Sequence, residues 1–152
     1  LEEPSRLIIA SAGGSPKDVN FVQAHKGLYS AHKAVAVDGA VILAARCHEG
    51  TGHKDFMSWF KRCSTETQWL DELEKNYQIN GQTAFSTWLR ARSTPTVLIS
   101  ELPAPMVEMM GMIPAAGPDE ALERARDVLG GLPSPLVLPD AGDMFTVVRS
   151  AE

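Results

Sequence analysis

The stretch Leu7 to Leu28, LIIASAGGSPKDVNFVQAHKGL, constrains the fold of this chain more than any other. It begins with a short apolar run, Leu7 to Ala12, the pattern of a strand buried in a parallel sheet. Gly13 and Gly14 then let the backbone pass through positive φ, and Pro16 stiffens the exit. Asp18 or Asn20 can cap the helix that follows. Strand, glycine turn and helix in this order is where open α/β sheets hold ligands, because the first N–H groups of the helix point outward there.

On a helical wheel at ~100° per residue, Phe21, Ala24, Leu28, Ala31 and Val35 fall on one side and predict the core stripe. Gln23 and Lys26 fall ~60° apart on the opposite flank. An ammonium beside an amide suits a carboxylate: Lys supplies a charge-assisted bond and Gln adds direction. By spacing alone, the same pair also describes an ordinary solvated helix face.

Further along, Gly39 and the run Ala40 to Ala45 predict a second strand, completing a βαβ unit. Helices are expected over His53 to Arg62, Glu66 to Tyr77 and Thr83 to Arg92. Thr65 opens the second of these, Trp69, Leu70 and Leu73 face inward, and Asn80-Gly81 reads as a turn. Pro95 to Ser100 is the third strand. LPAPMVEMMGMIPAAGP reads as a short helix and a connector, with Met109, Met110 and Met112 filling core gaps. Pro118 opens an amphipathic helix that Gly130-Gly131 ends. Leu136 to Leu138 and Phe145 to Val148 are the last strands. Strands alternating with helices predict an α/β, three-layer Rossmann-like domain with a mostly parallel sheet, occupying residues 1–152 as one unit.

Length and charge narrow the function. A chain of 152 residues can bury a conventional core, and its net charge of −5, with no basic run, argues against nucleic acid. No apolar stretch is long enough to span a bilayer and no signal peptide is visible, so no membrane role is expected. Cys47 and Cys63 suggest a reducing compartment and a cytoplasmic location. A start at Leu1, close to the first strand, suits an excised domain.

Other motifs carry less. CHEGTGH, residues 47–53, gathers Cys47, His48, Glu49 and His53, yet the spacing fits no standard zinc pattern and reads as a loop after a strand. Because it follows a strand's carboxyl end, His48 and His53 join Gly13, Gly14 and Asn20 as residues bordering a pocket. No Walker loop, G-x-G-x-x-G or G-x-S-x-G occurs. Weak anion binding at the start of the first helix remains open, although Asp18 opposes it. Asp140 and Asp143 fit a Pro-Asp-Ala-Gly turn. His25 and His32 lie on the flank of the first helix and receive no role.

GGSPKDVNFVQAHKG resembles the segment opening the C-terminal domain of nickel-dependent lactate racemases (LarA-type proteins), approximately GG-x-P-x-D-x-N-x-x-Q-A-x-K. Gly13, Gly14, Pro16, Asp18, Asn20, Gln23, Ala24 and Lys26 match in place. GAVILAARCHEGTGHKDF, STPTVLIS and LVLPDAGD resemble later segments of that family in the same order. The resemblance implies a two-domain isomerase that interconverts small 2-hydroxy acids. In that family a nickel pincer nucleotide accepts a hydride from the substrate carbon and a pair of histidines exchanges the hydroxyl proton. These groups, with the metal-ligand histidine and the lysine tethering the cofactor, belong to an N-terminal catalytic domain that this chain lacks. The resemblance therefore implies no catalytic residue and no metal ligand here.

It assigns the substrate carboxylate to Gln23 and Lys26. It assigns a pocket-lining aromatic to Trp88, although TAFSTWLRARS departs from the family pattern around it. The partners implied are the hydroxy acid and the N-terminal domain, and the isolated domain is expected to be inactive. The alternative reading is a stand-alone, non-catalytic Rossmann-like module that binds a small molecule or a partner.

Overall fold

In the computed structural model, residues 1 and 3–147 are described. Five strands, β1 (Ser5–Ser11), β2 (Val35–Ala44), β3 (Thr96–Ile99), β4 (Ile113–Ala115) and β5 (Leu136–Leu138), form one sheet in the order β4-β3-β2-β1-β5. Every pairing is parallel. The helices are α1 (Phe21–His32), α2 (Phe56–Arg62), α3 (Glu66–Lys75), α4 (Ile79–Ser93), α5 (Ala104–Met109) and α6 (Pro118–Leu129).

Strand alternation sorts the core into two layers. Ile8, Ala10, Val41, Leu43 and Leu98 face a large cluster with Phe21, Ala24, Leu28, Phe56, Trp59, Trp69, Ala84 and Val107, drawn from α1 to α5. Leu7, Ile42 and Val97 face the opposite side, where Ala121 and Ala125 of α6 cover them. This is the expected three-layer α/β arrangement, with one helix on one face. After β4 the chain returns beneath the sheet through α6 and emerges beside β1. The order reverses between β1 and β5, so the switch point lies at the Gly-Gly turn.

Local signals account for most element ends. Asn20 caps α1 by accepting from the Gln23 N–H at 3.0 Å. Thr65 and Gln68 form a reciprocal capping box on α3, and Gly130 closes α6 in the left-handed conformation at φ +69°.

Several expectations fail for reasons of packing. Val35 belongs to β2 and not to α1, because β2 begins early and is bulged where the β1 pairing slips between Ser5 and Leu7. Asn80-Gly81 makes no turn and sits in the first turn of α4, where Gly81 is needed for close approach. A Cβ there would lie 2.3 Å from the Trp59 ring. The connector after α5 contains the edge strand β4. Leu70 is exposed and Met109 is exposed, while Trp69, Met110 and Met112 are buried. Phe145 to Val147 have no regular structure and Val148 lies outside the described residues.

Among the described residues no helix is long and apolar enough to cross a membrane.

Candidate functional site

The β1–α1 turn is welded to two other loops at the carboxyl edge of the sheet. On one side the 47–53 loop folds over the start of α1: the Phe21 N–H donates to the Gly50 carbonyl at 3.1 Å and the Val22 N–H to the Thr51 carbonyl at 3.2 Å. With the Gln23 N–H given to Asn20, the first three N–H groups of α1 are taken by the chain itself. The helix start is therefore closed as an anion site, contrary to the expectation from the strand–turn–helix pattern. His48 and His53 stand exposed on this capping loop, and Asn20 packs against Gly52.

On the other side the turn is clasped to the segment after β5. The Lys17 ammonium donates to both oxygens of Asp140, at 2.9 and 2.8 Å, and pairs with Asp143 at 2.6 Å. Hydrogen bonds to Asp140 and then Asp143 raise its pKa above the usual lysine value. Gly13 is pressed onto this clasp at φ +101°, while Gly14, at φ +71°, has open space beside it. Sequence reasoning treated the two aspartates as a turn and passed over Lys17, whose partners lie 123 and 126 residues away (140 − 17 and 143 − 17).

Gly14 lines a crevice of about 340 Å³ along the carboxyl ends of the strands, with Ser11, Asp18, Arg46, Ser100 and Glu101. Asp18 accepts from the Arg46 N–H at 3.1 Å, and the Arg46 guanidinium pairs with Glu101 at 2.7 Å. The Arg46 guanidinium is thus spent on Glu101 while Asp18 is met by a backbone N–H, so two carboxylates share one cation in this crevice.

The donor pair on α1 behaves differently. Lys26 Nζ donates to Gln23 Oε1 at 3.1 Å, and both residues are exposed. Among the described residues no carboxylate pairs with Lys26. The contact holds the two side chains together, leaving the Gln23 amide hydrogens and two ammonium hydrogens to reach outward. Lys26 also edges a cavity of about 290 Å³ between α1, Ser86 of α4 and the segment Gly142 to Phe145.

His25, in the same cavity, donates from Nδ1 to the Val22 carbonyl. Burial lowers its pKa, partly offset by that bond, and the charges of Lys26 and Arg90 lower it further. His32, the last residue of α1, is pushed down to about 4 by burial and then by Arg90. His32 thus stays neutral in the fold down to about pH 4 and His25 protonates less readily than a free imidazole, whereas an unfolded chain protonates both near 6.5. Stability is accordingly full above pH 6.5 and falls as the pH drops from there towards 4, because only the unfolded state binds the proton. In urea unfolding at stepped pH, His32→Asn is expected to flatten this acid loss. An unchanged slope would remove His32 as its source.

Trp88 is placed elsewhere. It packs against Trp69 at 5.8 Å and Phe85 at 6.1 Å, with the Arg92 guanidinium 4.9 Å from its ring centroid. On α4 it points ~200° around from Ser86, the residue that shares the cavity with Lys26. Of the residues singled out from sequence, then, the structure brings Gln23 and Lys26 together and sets Trp88 in an aromatic cluster of the helical layer.

A parallel sheet covered on both faces, with its switch point at a glycine turn, is a Rossmann-like α/β domain. The chain belongs to the Lactate racemase C-terminal domain family, which matches residues 2–145. Over 59 residues it is 39% identical to a lactate racemase of Thermoanaerobacterium thermosaccharolyticum, a match covering 39% of this chain and 14% of that protein. The structure of the lactate racemase apoprotein from the same organism superimposes with a TM-score of 0.85 at 25% identity, covering 97% of this chain and 36% of that one. The chain spans little more than a third of that relative's length.

Proposed function

We propose that this chain is the carboxylate-holding part of a 2-hydroxy acid racemase or epimerase, and that Gln23 and Lys26 form the grip. The observation that carries the reading is the 3.1 Å contact joining two exposed side chains that keep donors to spare, with no acidic partner for the lysine among the described residues. Family membership supports it.

The chemistry follows from what each group can do. The Lys26 ammonium supplies charge and the Gln23 amide fixes the plane of the carboxylate. Covered by the rest of the protein, the pair would work at lower dielectric, where each bond is stronger than in water. Holding the carboxylate still keeps the carbon bearing the hydroxyl within reacting distance of its acceptor. The described residues offer no fitting donor set for a nickel pincer nucleotide. Among the described residues no three His, Cys, Asp or Glu side chains gather to hold a metal. Cys47 is buried, and burial pushes its thiol up to about 12. In this reading such a cofactor, with the proton-exchanging groups, is held by an N-terminal domain of the whole protein, and the 152-residue chain alone racemises nothing.

The test is Lys26→Ala in the full-length protein, assayed by polarimetry on a panel of 2-hydroxy acids. Loss of one charged hydrogen bond, worth about 1.5–3 kcal/mol, should lower kcat/KM by roughly ten- to hundredfold. Unchanged kinetics in a folded variant would remove the assignment.

A further inference from the structure

In a chain with 19 acidic residues and a net charge of −5, α1 and α4 contain no Asp or Glu at all. The two helices pack side by side, and the groove between them gathers cations. Lys26, Tyr29 and Lys33 recur along α1 on one face, opposite Ser86, Leu89, Arg90 and Ser93 on α4. Beyond the cavity at Lys26, the groove opens into a second one of about 430 Å³ lined by Tyr29, His32, Lys33, Leu89, Arg90 and Ser93.

The cations there are positioned but not neutralised. Lys33 Nζ sits 4.6 Å from the Tyr29 ring centroid and 4.0 Å from that of Phe145, and the Arg90 guanidinium lies 4.7 Å from the Tyr29 ring. Arg90 is partly buried and donates through Nη1 to the carbonyl and hydroxyl of Ser86. Its Nε and Nη2 hydrogens find no acceptor among the described residues. No carboxylate pairs with Lys33 or Arg90 among them either. His32, held neutral by burial, adds no charge, and its buried Nε2 also lacks a partner among the described residues. A partly desolvated guanidinium with unused donors favours an anion within its reach. Cation–π contacts orient these groups but leave their N–H bonds unspent.

We propose that the groove end formed by Lys33 and Arg90 around Tyr29 is an anion-binding subsite, separate from the Gln23–Lys26 pair, for the carboxylate or phosphate group of a small molecule. Seven residues separate Lys26 from Lys33, about 10 Å along the helix, so one small anion cannot occupy both places. The subsite does not depend on the reading of Gln23 and Lys26.

The test is NMR titration of the ¹⁵N-labelled 152-residue chain with sodium phosphate, and separately with sodium lactate, at ionic strength held constant with sodium chloride. The probes are the Arg90 side-chain Nε–H and the backbone amides of Tyr29 to Lys33 and Leu89 to Ser93. Saturable shifts at these probes are expected from at least one of the two anions, any response at Gln23 and Lys26 following its own separate curve, and the anion that saturates the probes at lower concentration identifies the group. Arg90→Gln should weaken that binding about tenfold or more. Arg90→Lys, which keeps the charge, should restore much of it, and Arg92→Gln should leave it intact. Shifts that rise without saturation for both anions, or that survive Arg90→Gln in a folded chain, would overturn the proposal.

Discussion

Trp69→Ala is expected to destabilise the chain by about 3–5 kcal/mol, the range for emptying a large aromatic site in a core. Trp69 is fully buried and is the one buried residue described on α3. It lies parallel to Trp59 with ring centroids 6.1 Å apart, meets Phe60 edge-on at 5.4 Å and touches Phe85 at 5.7 Å. Leu73 adds a partly buried contact to the same cluster, Leu70 is exposed and the other side chains of α3 are polar, so this indole is the main anchor of ten residues of helix. Its removal should therefore act in two ways. The urea midpoint falls, and amide exchange across Glu66 to Lys75 rises towards that of a frayed segment. Trp69→Phe should recover part of both. A loss below about 1 kcal/mol would mean that α3 is held by something other than this stack.

Gly13→Ala carries the second large effect: about 1–2 kcal/mol from backbone strain at positive φ, with the displacement of an ion pair in addition. At φ +101° an L side chain is strained, and its Cβ would lie 2.2 Å from Asp140 Oδ1. To make room, Asp140 must leave Lys17 and loosen the clasp between the β1–α1 turn and the segment after β5. That segment also donates the Ala141 N–H to the Ser11 carbonyl at 2.8 Å and, through the Met144 carbonyl, accepts from Ser30 Oγ at 2.6 Å. Its displacement should reach the cavity beside Lys26. Gly14→Ala is the control, because Gly14 is also at positive φ but nothing lies within 4 Å of a Cβ there. It should lose only the backbone part, about 1 kcal/mol. Equal losses at the two positions, measured by chemical denaturation, would show that the clasp contributes nothing.

The elements legible in sequence are those whose signal is local. The apolar run Leu7 to Ala12, the stripe Phe21, Ala24, Leu28 and Ala31, Thr65 at the opening of its helix, and Pro118 and Gly130 at the two ends of theirs all act within a few residues. Each produced its strand, helix or cap where the pattern put it. The misreadings share a cause as well. Asn80-Gly81 has the chemistry of a turn, but the Trp59 ring, more than twenty residues earlier, turns that glycine into a packing notch within α4. β4 is only three residues long, so alternation has no room to declare itself, and its pairing with β3 is what makes it a strand.

The same division runs through the candidate site. Gln23 and Lys26 were visible because three residues on a helix bring side chains onto one flank, whatever the tertiary context. The sequence by itself also determined the α/β class, through the alternation of apolar runs with amphipathic helices. The tertiary structure alone decided that the start of α1 is closed by the 47–53 loop and that Lys17 is clasped to Asp140 and Asp143. It alone set Trp88 in the aromatic cluster and lined Lys33 and Arg90 along one groove. Periodicity reports which face of an element is apolar. Which face of another element it meets depends on contacts between residues dozens to more than a hundred positions apart, whose pairing no local pattern encodes.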